Sequence, residues 1–429
     1  MLDIRFIRDN IEAVKENCRR RSISINSSNF DEFLSLYDAR SAEIQQLEET
    51  RRQQNENASQ IKKLPPHANR SDLIERGKKL KTIEQVHKDL LEKWEGKLLG
   101  ITRQLPNMTH PDAPVASGED GNKEIRRWGV PPTFSFTPKD HVEIGERLSL
   151  IDFDAGAKVT GQKFYYLKNE AVLIEQALAC YALNLLCAEG FVPVTTPDLA
   201  RESILDGIGF NPRGAETQIY SIANSDLCLI ATAEITLGGM LSDSMLEEKD
   251  LPLKFAGLSH CFRTEAGSAG RESKGLYRVH QFTKVEMFAF VAPEQSGEMH
   301  EHFVQLEEKI FQGLGIPYRV VDICTGDLGG PAYRKYDLEA WMPGRGESGS
   351  YGEVTSTSNC TDYQARRLGI RFKRENEKRP IFVHMLNGTA VATSRALIAI
   401  LENFQQADGS ISVPEILWPY MGGIKKISR

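Results

Sequence analysis

Residues 262–286 read FRTEAGSAGRESKGLYRVHQFTKVE, and the rest of the chain is organised around this stretch. The preceding run, LKFAGLSHCF at 253–262, has the length and apolar content of a strand that delivers Arg263 and Glu265 at its end. A tip with glycines at 267, 270 and 275 and charges at Arg271, Glu272 and Lys274 follows. Residues 277–290 then alternate, with Val279, Gln281, Thr283, Val285 and Met287 opposite Phe282, Lys284, Glu286 and Phe288. Two strands joined by a glycine-rich loop predict a long hairpin. A hairpin facing only a core would not bury acids and bases among its apolar residues. The set fits a nucleotide instead: Arg263 can fork onto phosphate oxygens, Phe282 can stack on a base, and Glu265 can accept from an exocyclic amine.

FRTEAG followed by RVHQFTKVEM resembles motif 2 of the class II aminoacyl-tRNA synthetases, in the form found in seryl-tRNA synthetases. Other segments extend the resemblance over nearly the whole chain. GFVPVTTP at 190–197, after a helical run at 170–189, is similar to motif 1, which forms the dimer interface in class II enzymes. YGEVTSTSN at 351–359, with Asp362 and QARR at 364–367, resembles the family's EVSS…SN…FQARR segment, with Thr355 where serine is usual. FVHMLNGTAVATSR at 382–395 resembles motif 3, with Ser394 where glycine commonly precedes the arginine. VPEILWPY at 413–420 matches the family's closing run, and LSLIDFDAGAKVTGQKF at 148–164 is also similar to it.

The residues support this on chemical grounds. Thr232-Ala233-Glu234 lies between the apolar run at 227–230 and a helix-like stretch at 235–241, where the threonine can also serve as a helix cap. Read with motif 2, it is similar to the family's serine-binding TAE. Thr232, Glu234, Glu286 and Thr389 are the types needed to accept an ammonium and pair a hydroxyl. Which carboxylate takes which group stays open. Unpaired buried partners would penalise alanine strongly, whereas threonine is excluded only by lack of room for its methyl. Glu353 with the hydroxyls of Thr355 and Ser356 suits a hard cation bridging phosphates. Arg395 at a helix start can carry a guanidinium over a nucleotide.

The resemblance therefore implies the following set. Arg263, Glu353 and Arg395 are catalytic, and Thr232, Ala233, Glu234, Glu286, Asn387 and Thr389 bind L-serine. Arg263, Thr264, Glu265, Val279, Phe282, Glu353, Val354, Thr355, Ser356 and Arg395 bind ATP, with Glu353 and Ser356 holding Mg²⁺ through it.

The remaining chain supplies a second module. Residues 3–21 read as one short amphipathic helix. Phe30, Tyr37, Ile44 and Ala58 share one seam position of a heptad helix and Phe33, Leu47 and Ile61 the other, interrupted by Arg51 and Gln54. Leu73, Leu80, His87, Trp94 and Ile101 recur every seven residues in a second helix, which Ser71 is placed to cap. The breaker LPPHANRS at 64–71 folds them back as an antiparallel coiled coil, and about 35 residues make an arm of roughly 50 Å. Seven basic residues against two acids lie between 62 and 81, which suits contact with the phosphates of a shaped RNA. In the family such an arm lies against the long variable arm of serine tRNA.

Residues 106–138, rich in Pro, Gly and Asp, read as the linker. The expected division is 1–110, a tRNA-binding domain, and 111–429, a catalytic domain. The fold class is α+β: an N-terminal antiparallel coiled-coil arm plus a class II catalytic domain on an antiparallel sheet flanked by helices.

A net charge of −6 excludes wholesale affinity for nucleic acid, so tRNA contact must come from a local patch. The seven cysteines show neither CxxC nor metal spacing and read as free thiols of a reducing compartment. No run reads as the roughly 18 apolar residues of a membrane span, and no signal or transit segment is expected. The cytoplasm is the expected location and a membrane is not an expected partner. The implied function is activation of L-serine by ATP and transfer to tRNA-Ser, and to tRNA-Sec where one exists, by a homodimer. The alternatives are a class II paralogue charging a carrier protein and a non-catalytic tRNA-binding protein.

Overall fold

The computed structural model describes residues 1–65, 67–210, 218–265, 275–375 and 377–429. The chain divides after Pro106 into two compact units.

Unit 1 opens with two helices, α1 (Ile4–Asp9) and α2 (Ile11–Arg20), where one was expected. Asn10 interrupts them with a non-helical backbone, and its side chain donates to the Phe6 carbonyl at 3.0 Å. The paired helices α3 (Ser27–Lys63) and α4 (Ser71–Thr102) form the arm. Phe30, Phe33, Leu36, Leu47, Leu80 and Leu98 bury its seam. The polar interruption is answered from across the arm: Arg51 Nε and Gln54 Nε2 donate to the two Glu84 oxygens at 3.4 and 3.0 Å. Ser71 is not the cap. It is already helical, and the Asn69 side chain accepts its N–H at 2.9 Å.

Unit 2 is built on an eight-stranded sheet. In chain order its strands are β1 (Lys123–Trp128), β2 (Val192–Thr195), β3 (Leu253–Phe262), β4 (Gln281–Val291), β5 (Tyr318–Asp322), β6 (Arg334–Met342), β7 (Ser350–Asn359) and β8 (His384–Ala392). They lie in the order β1-β5-β6-β7-β8-β4-β3-β2, all antiparallel except β2 beside β3. Residues 106–138 are thus not merely a linker. KEIRRW makes an edge strand, whose exposed and charged residues carry no apolar alternation to betray it. Asn107 is already docked, donating to the carbonyls of Pro331 and Cys360 at 2.9 Å.

The hairpin β3–β4 pairs ten residues, from Leu253 with Phe290 to Phe262 with Gln281. Its second strand begins four residues later than the alternation suggests. The His280 N–H goes to the Lys163 carbonyl and its carbonyl to Arg263, so residues 277–280 leave the ladder. The tip expected at 267–275 lies, apart from Gly275, outside the described residues. Along β4, Val285, Met287, Ala289 and Val291 enter one core, and Phe288 and Phe290 enter another on the opposite face. That leaves Phe282, Lys284 and Glu286 at the site cleft, the last two almost wholly buried.

The first core is closed by α5 (Glu170–Ala188), α7 (Ser296–Leu314) and α8 (Thr393–Asn403), and the second by α6 (Ala233–Gly239). Helix α5 corrects the reading of hydropathy, for it is long and apolar enough by composition to cross a membrane, at mean hydropathy 1.7. Ile174, Ala177, Leu178, Ala182 and Leu186 are instead fully buried in the protein core. Val172 and Leu173 on α5 and Val192 on β2 remain 39 %, 41 % and 54 % exposed.

Candidate active site

Two strand defects shape the cleft. Glu353 and Ser356 are three apart, so a regular strand would point them to opposite faces. In β7 the register slips at Val354: Glu353 stands opposite Glu339, and Ser356 opposite Asp337. Asp337 and Glu339 are two apart on β6 and share a face, so Glu353 and Ser356 do as well. A second slip, at Ala390 in β8, sets Thr389 opposite Glu286. Thr389 Oγ1 donates to Glu286 Oε2 at 3.3 Å.

Arg263 leaves β3 with its N–H bonded to the His280 carbonyl at 3.0 Å and its Nε to the Ala231 carbonyl at 3.3 Å. Its guanidinium lies 5.3 Å from the centre of the Phe282 ring. Beyond it, the Thr264 N–H donates to the Gln218 carbonyl, and Glu265 pairs with Arg278 at 3.5 Å. Arg395, on the first turn of α8, reaches the Glu353 carboxylate at 3.0 Å and lies 4.7 Å from the Tyr277 ring centre. Burial alone would push the Glu353 carboxyl up; Arg395, Lys335 and Arg263 outweigh it and hold the group below its usual range. Arg263, Glu265, Val279, Phe282, Val354, Thr355, Thr389 and Arg395 line one cavity with Lys284. A larger one of about 740 Å³ shares Tyr277, Arg278 and Glu353 with it and is rich in carboxylates, among them Asp337 and Glu339.

At the far end lies a buried polar cluster. Thr232 caps α6, accepting the Glu234 N–H at 3.3 Å, so the capping role and a site role coexist in one residue. Ala233 is wholly buried against β3, where a Cβ on Gly257 would stand 3.2 Å from its own. Glu234 Oε1 accepts from Asn387 Nδ2 at 2.9 Å and Gln364 Nε2 at 2.7 Å. Burial, aided by Glu286, pushes the Glu234 carboxyl up to about 7. The described structure thus brings most of the sequence-derived residues together, Ser356 by its strand register and its hydrogen bond to Asp337, while Thr264 and Ala233 are located only by their backbone neighbours and burial.

Sequence reasoning missed three residues. Lys284 is only 4 % exposed and donates to Thr232 Oγ1 at 2.7 Å and Thr389 Oγ1 at 3.4 Å, while pairing with Glu286. Its place on the face of Phe282 and Glu286 was the available signal. Gln364 links Glu234 to the Ile208 carbonyl. Tyr277 donates to the Glu353 carbonyl at 3.2 Å and lies between two guanidinia, since Arg345 is also 4.7 Å from its ring centre.

Comparison with known proteins finds one family along the whole chain. A family model of the seryl-tRNA synthetase N-terminal domain matches residues 1–109, and one of the class II tRNA synthetase core domain (G, H, P, S and T) matches residues 219–404. The chain is 59 % identical over 422 residues to a serine–tRNA ligase of Rubrobacter xylanophilus, covering 98 % of each protein. It is 56 % identical over 423 residues to one of Treponema denticola, covering 98 % of this chain and 99 % of that one. The crystal structure of seryl-tRNA synthetase from Pyrococcus horikoshii complexed with ATP superposes with a TM-score of 0.90 at 41 % identity, over 100 % of this chain and 99 % of that one. By its full-length likeness to these enzymes, the chain belongs to the seryl-tRNA synthetases, the serine–tRNA ligases of class II.

Proposed function

We propose that the cleft between β3, β4, β7 and β8 carries out both half-reactions of serine–tRNA ligation through the residues named above. The carrying observation is one cavity lined by Arg263, Phe282 and Arg395 together with Lys284 and Thr389, the last two bonded to the buried polar cluster. A nucleotide and an amino acid bound there would meet end to end. The serine carboxylate attacks the α-phosphorus of ATP, forming seryl-adenylate and releasing pyrophosphate, with no protein nucleophile. Phe282 and Arg395 hold the adenine from opposite sides, and Arg263 receives the charge that builds on the α-phosphate. Thr232, Glu234, Glu286 and Thr389 receive the ammonium and hydroxyl of serine. In the second step the terminal ribose hydroxyl of tRNA takes the seryl group and AMP departs.

Glu353 and Ser356 would hold Mg²⁺ with the phosphates, and their shared face and hard oxygen donors fit such an ion. Bound there, the ion neutralises charge on the departing pyrophosphate. Residues 1–110 supply the tRNA-binding domain and residues 111–429 the catalytic one. The basic end of the arm receives tRNA-Ser, and tRNA-Sec where the cell has one. The exposed Val172, Leu173 and Val192 belong to a homodimer interface, and the enzyme works in the cytoplasm.

The decisive assay is serine-dependent ATP–pyrophosphate exchange, run with serine, threonine and alanine side by side. Exchange with serine that collapses for Arg263→Ala is expected, and none with serine in the unaltered chain overturns the reading. Removing residues 29–105 should spare exchange and abolish charging of tRNA-Ser; charging that survives removes the arm from the mechanism.

A further inference from the structure

Lys284 is the one buried cation found among the groups assigned to serine, and the mechanism above gives it no task. It projects from the middle of β4, and its ammonium meets two hydroxyls, Thr232 Oγ1 at 2.7 Å and Thr389 Oγ1 at 3.4 Å, and the Glu286 carboxylate. Those partners come from three elements: the cap of α6, β8 next to its bulge, and β4 itself.

We infer that Lys284 is a positioning residue that sets the specificity of the amino-acid pocket: it fixes the directions of Thr232, Glu286 and Thr389 and supplies the charge that lets the pocket take serine as a zwitterion. The inference rests on reading this end of the cleft as the serine pocket.

The charge balance carries it. Two carboxylates, Glu234 and Glu286, lie in a volume almost closed to water, and Glu286 raises the cost of ionising Glu234. Lys284 from β4 and Arg263 from the end of β3 are the cations acting on Glu234, so the four groups sum to zero and a zwitterion adds no net charge. Cys261 on β3 also faces this group, as a thiol that burial keeps neutral, and beneath the sheet Glu286 adds to the burial that keeps Glu307 on α7 protonated. A lysine ammonium bonded to both hydroxyls also directs their protons: each oxygen that accepts from Lys284 must turn its own O–H elsewhere. Thr389 turns its proton to Glu286. Glu286 is thereby held by two donors, with its remaining lone pairs aimed in a fixed direction.

A competing role is that of a placeholder, with the ammonium standing where that of serine will go and leaving when serine arrives. The two roles predict opposite effects on affinity for serine.

The test measures exchange kinetics for Lys284→Met and Lys284→Gln in the full chain. For Lys284→Met, the KM for serine rises roughly ten- to a hundredfold while the KM for ATP stays within about twofold. The acid limb of kcat/KM for serine moves to higher pH, because loss of the cation makes Glu234 harder to ionise. Lys284→Gln, which keeps a donor without the charge, recovers part of the KM and none of the pH displacement. A serine KM that is unchanged or lowered overturns the proposal, as does an equal rise in both KM values. If Lys284→Met does not fold, the glutamine variant alone decides by the same split. Absence of serine-dependent exchange in the unaltered chain is a separate failure, and overturns the pocket reading itself.

Discussion

Arg395 Nη1 lies 3.0 Å from the Glu353 carboxylate and 3.0 Å from the Glu353 carbonyl oxygen. The arginine proposed to cover the nucleotide and the carboxylate proposed to hold its ion thus neutralise one another.

Glu353→Gln is expected to lower exchange roughly a hundredfold and to raise the Mg²⁺ concentration that supports half-maximal rate. Serine affinity should hardly move, because the hydrogen bonds that join Thr232, Glu234, Glu286, Asn387 and Thr389 do not include Glu353. Magnesium titration of the exchange rate measures the first effect, and an unshifted titration removes Glu353 from the metal site.

The serine pocket should titrate. Glu234, one of the two carboxylates proposed to receive serine, holds a cation best when ionised, and burial with Glu286 nearby raises its carboxyl to about 7. As pH falls through that value the free pocket takes up a proton that serine must displace. The KM for serine should therefore rise toward acid, by about tenfold per unit once well below 7, with the KM for ATP flat. Initial rates between pH 5.5 and 8.5 check this, and a serine KM independent of pH contradicts it.

Beneath the sheet, Glu307 on α7 is fully buried, and neither carboxyl oxygen has a hydrogen-bond partner among the described residues. The Thr355 hydroxyl faces it without closing a bond of ordinary geometry. Burial first, then Asp337, Glu286 and Glu308, push this carboxyl well above its usual range. The native state keeps a proton that the unfolded chain releases above the ordinary carboxylate range, so this group costs more stability as pH rises. Glu307→Gln carries no such cost. Its melting temperature should gain on that of the unaltered protein from pH 5 to pH 8, read by calorimetry. A difference that stays flat with pH contradicts the assignment.

Gly275 has φ of +62°, and a Cβ there would stand 2.2 Å from His141 Nε2. That nitrogen accepts the Leu276 N–H at 3.1 Å, so its ring proton sits on Nδ1, donated to Glu402 at 2.8 Å. Gly275→Ala should cost about 1–3 kcal/mol of stability. It should also raise the KM for ATP, because Leu276 carries Tyr277 and with it the contacts to Glu353 and Arg395. Melting curves and ATP titrations test the two effects separately.

Much of this site was legible because its chemistry is local. Arg263 follows the end of a strand that apolar content predicts, Phe282 sits where alternation puts it, and Thr232 announces itself as a cap. What escaped depends on long-range pairing. No residue type signals the slips at Val354 and Ala390, since a bulge is decided by two strands together. Lys284 was assigned to the right face without a task, because its partners Thr232 and Thr389 lie 52 and 105 residues away. The edge strand β1 was read as linker because charged residues at a sheet edge resemble a solvated loop. The apolar helix α5 was passed over for another reason: it meets the length and composition of a span, and only its packing shows it to be a core helix.

The slip at Val354 has a consequence for anyone moving this chemistry elsewhere. Grafting the Glu353 and Ser356 side chains onto a flawless strand would send one of them to the back of the sheet. The transferable unit is therefore a pair of residues together with a fault in the pleating. A one-residue deletion at 354, by contrast, leaves the two residues two apart, and a regular strand then holds the ion's two proposed oxygen donors on one face.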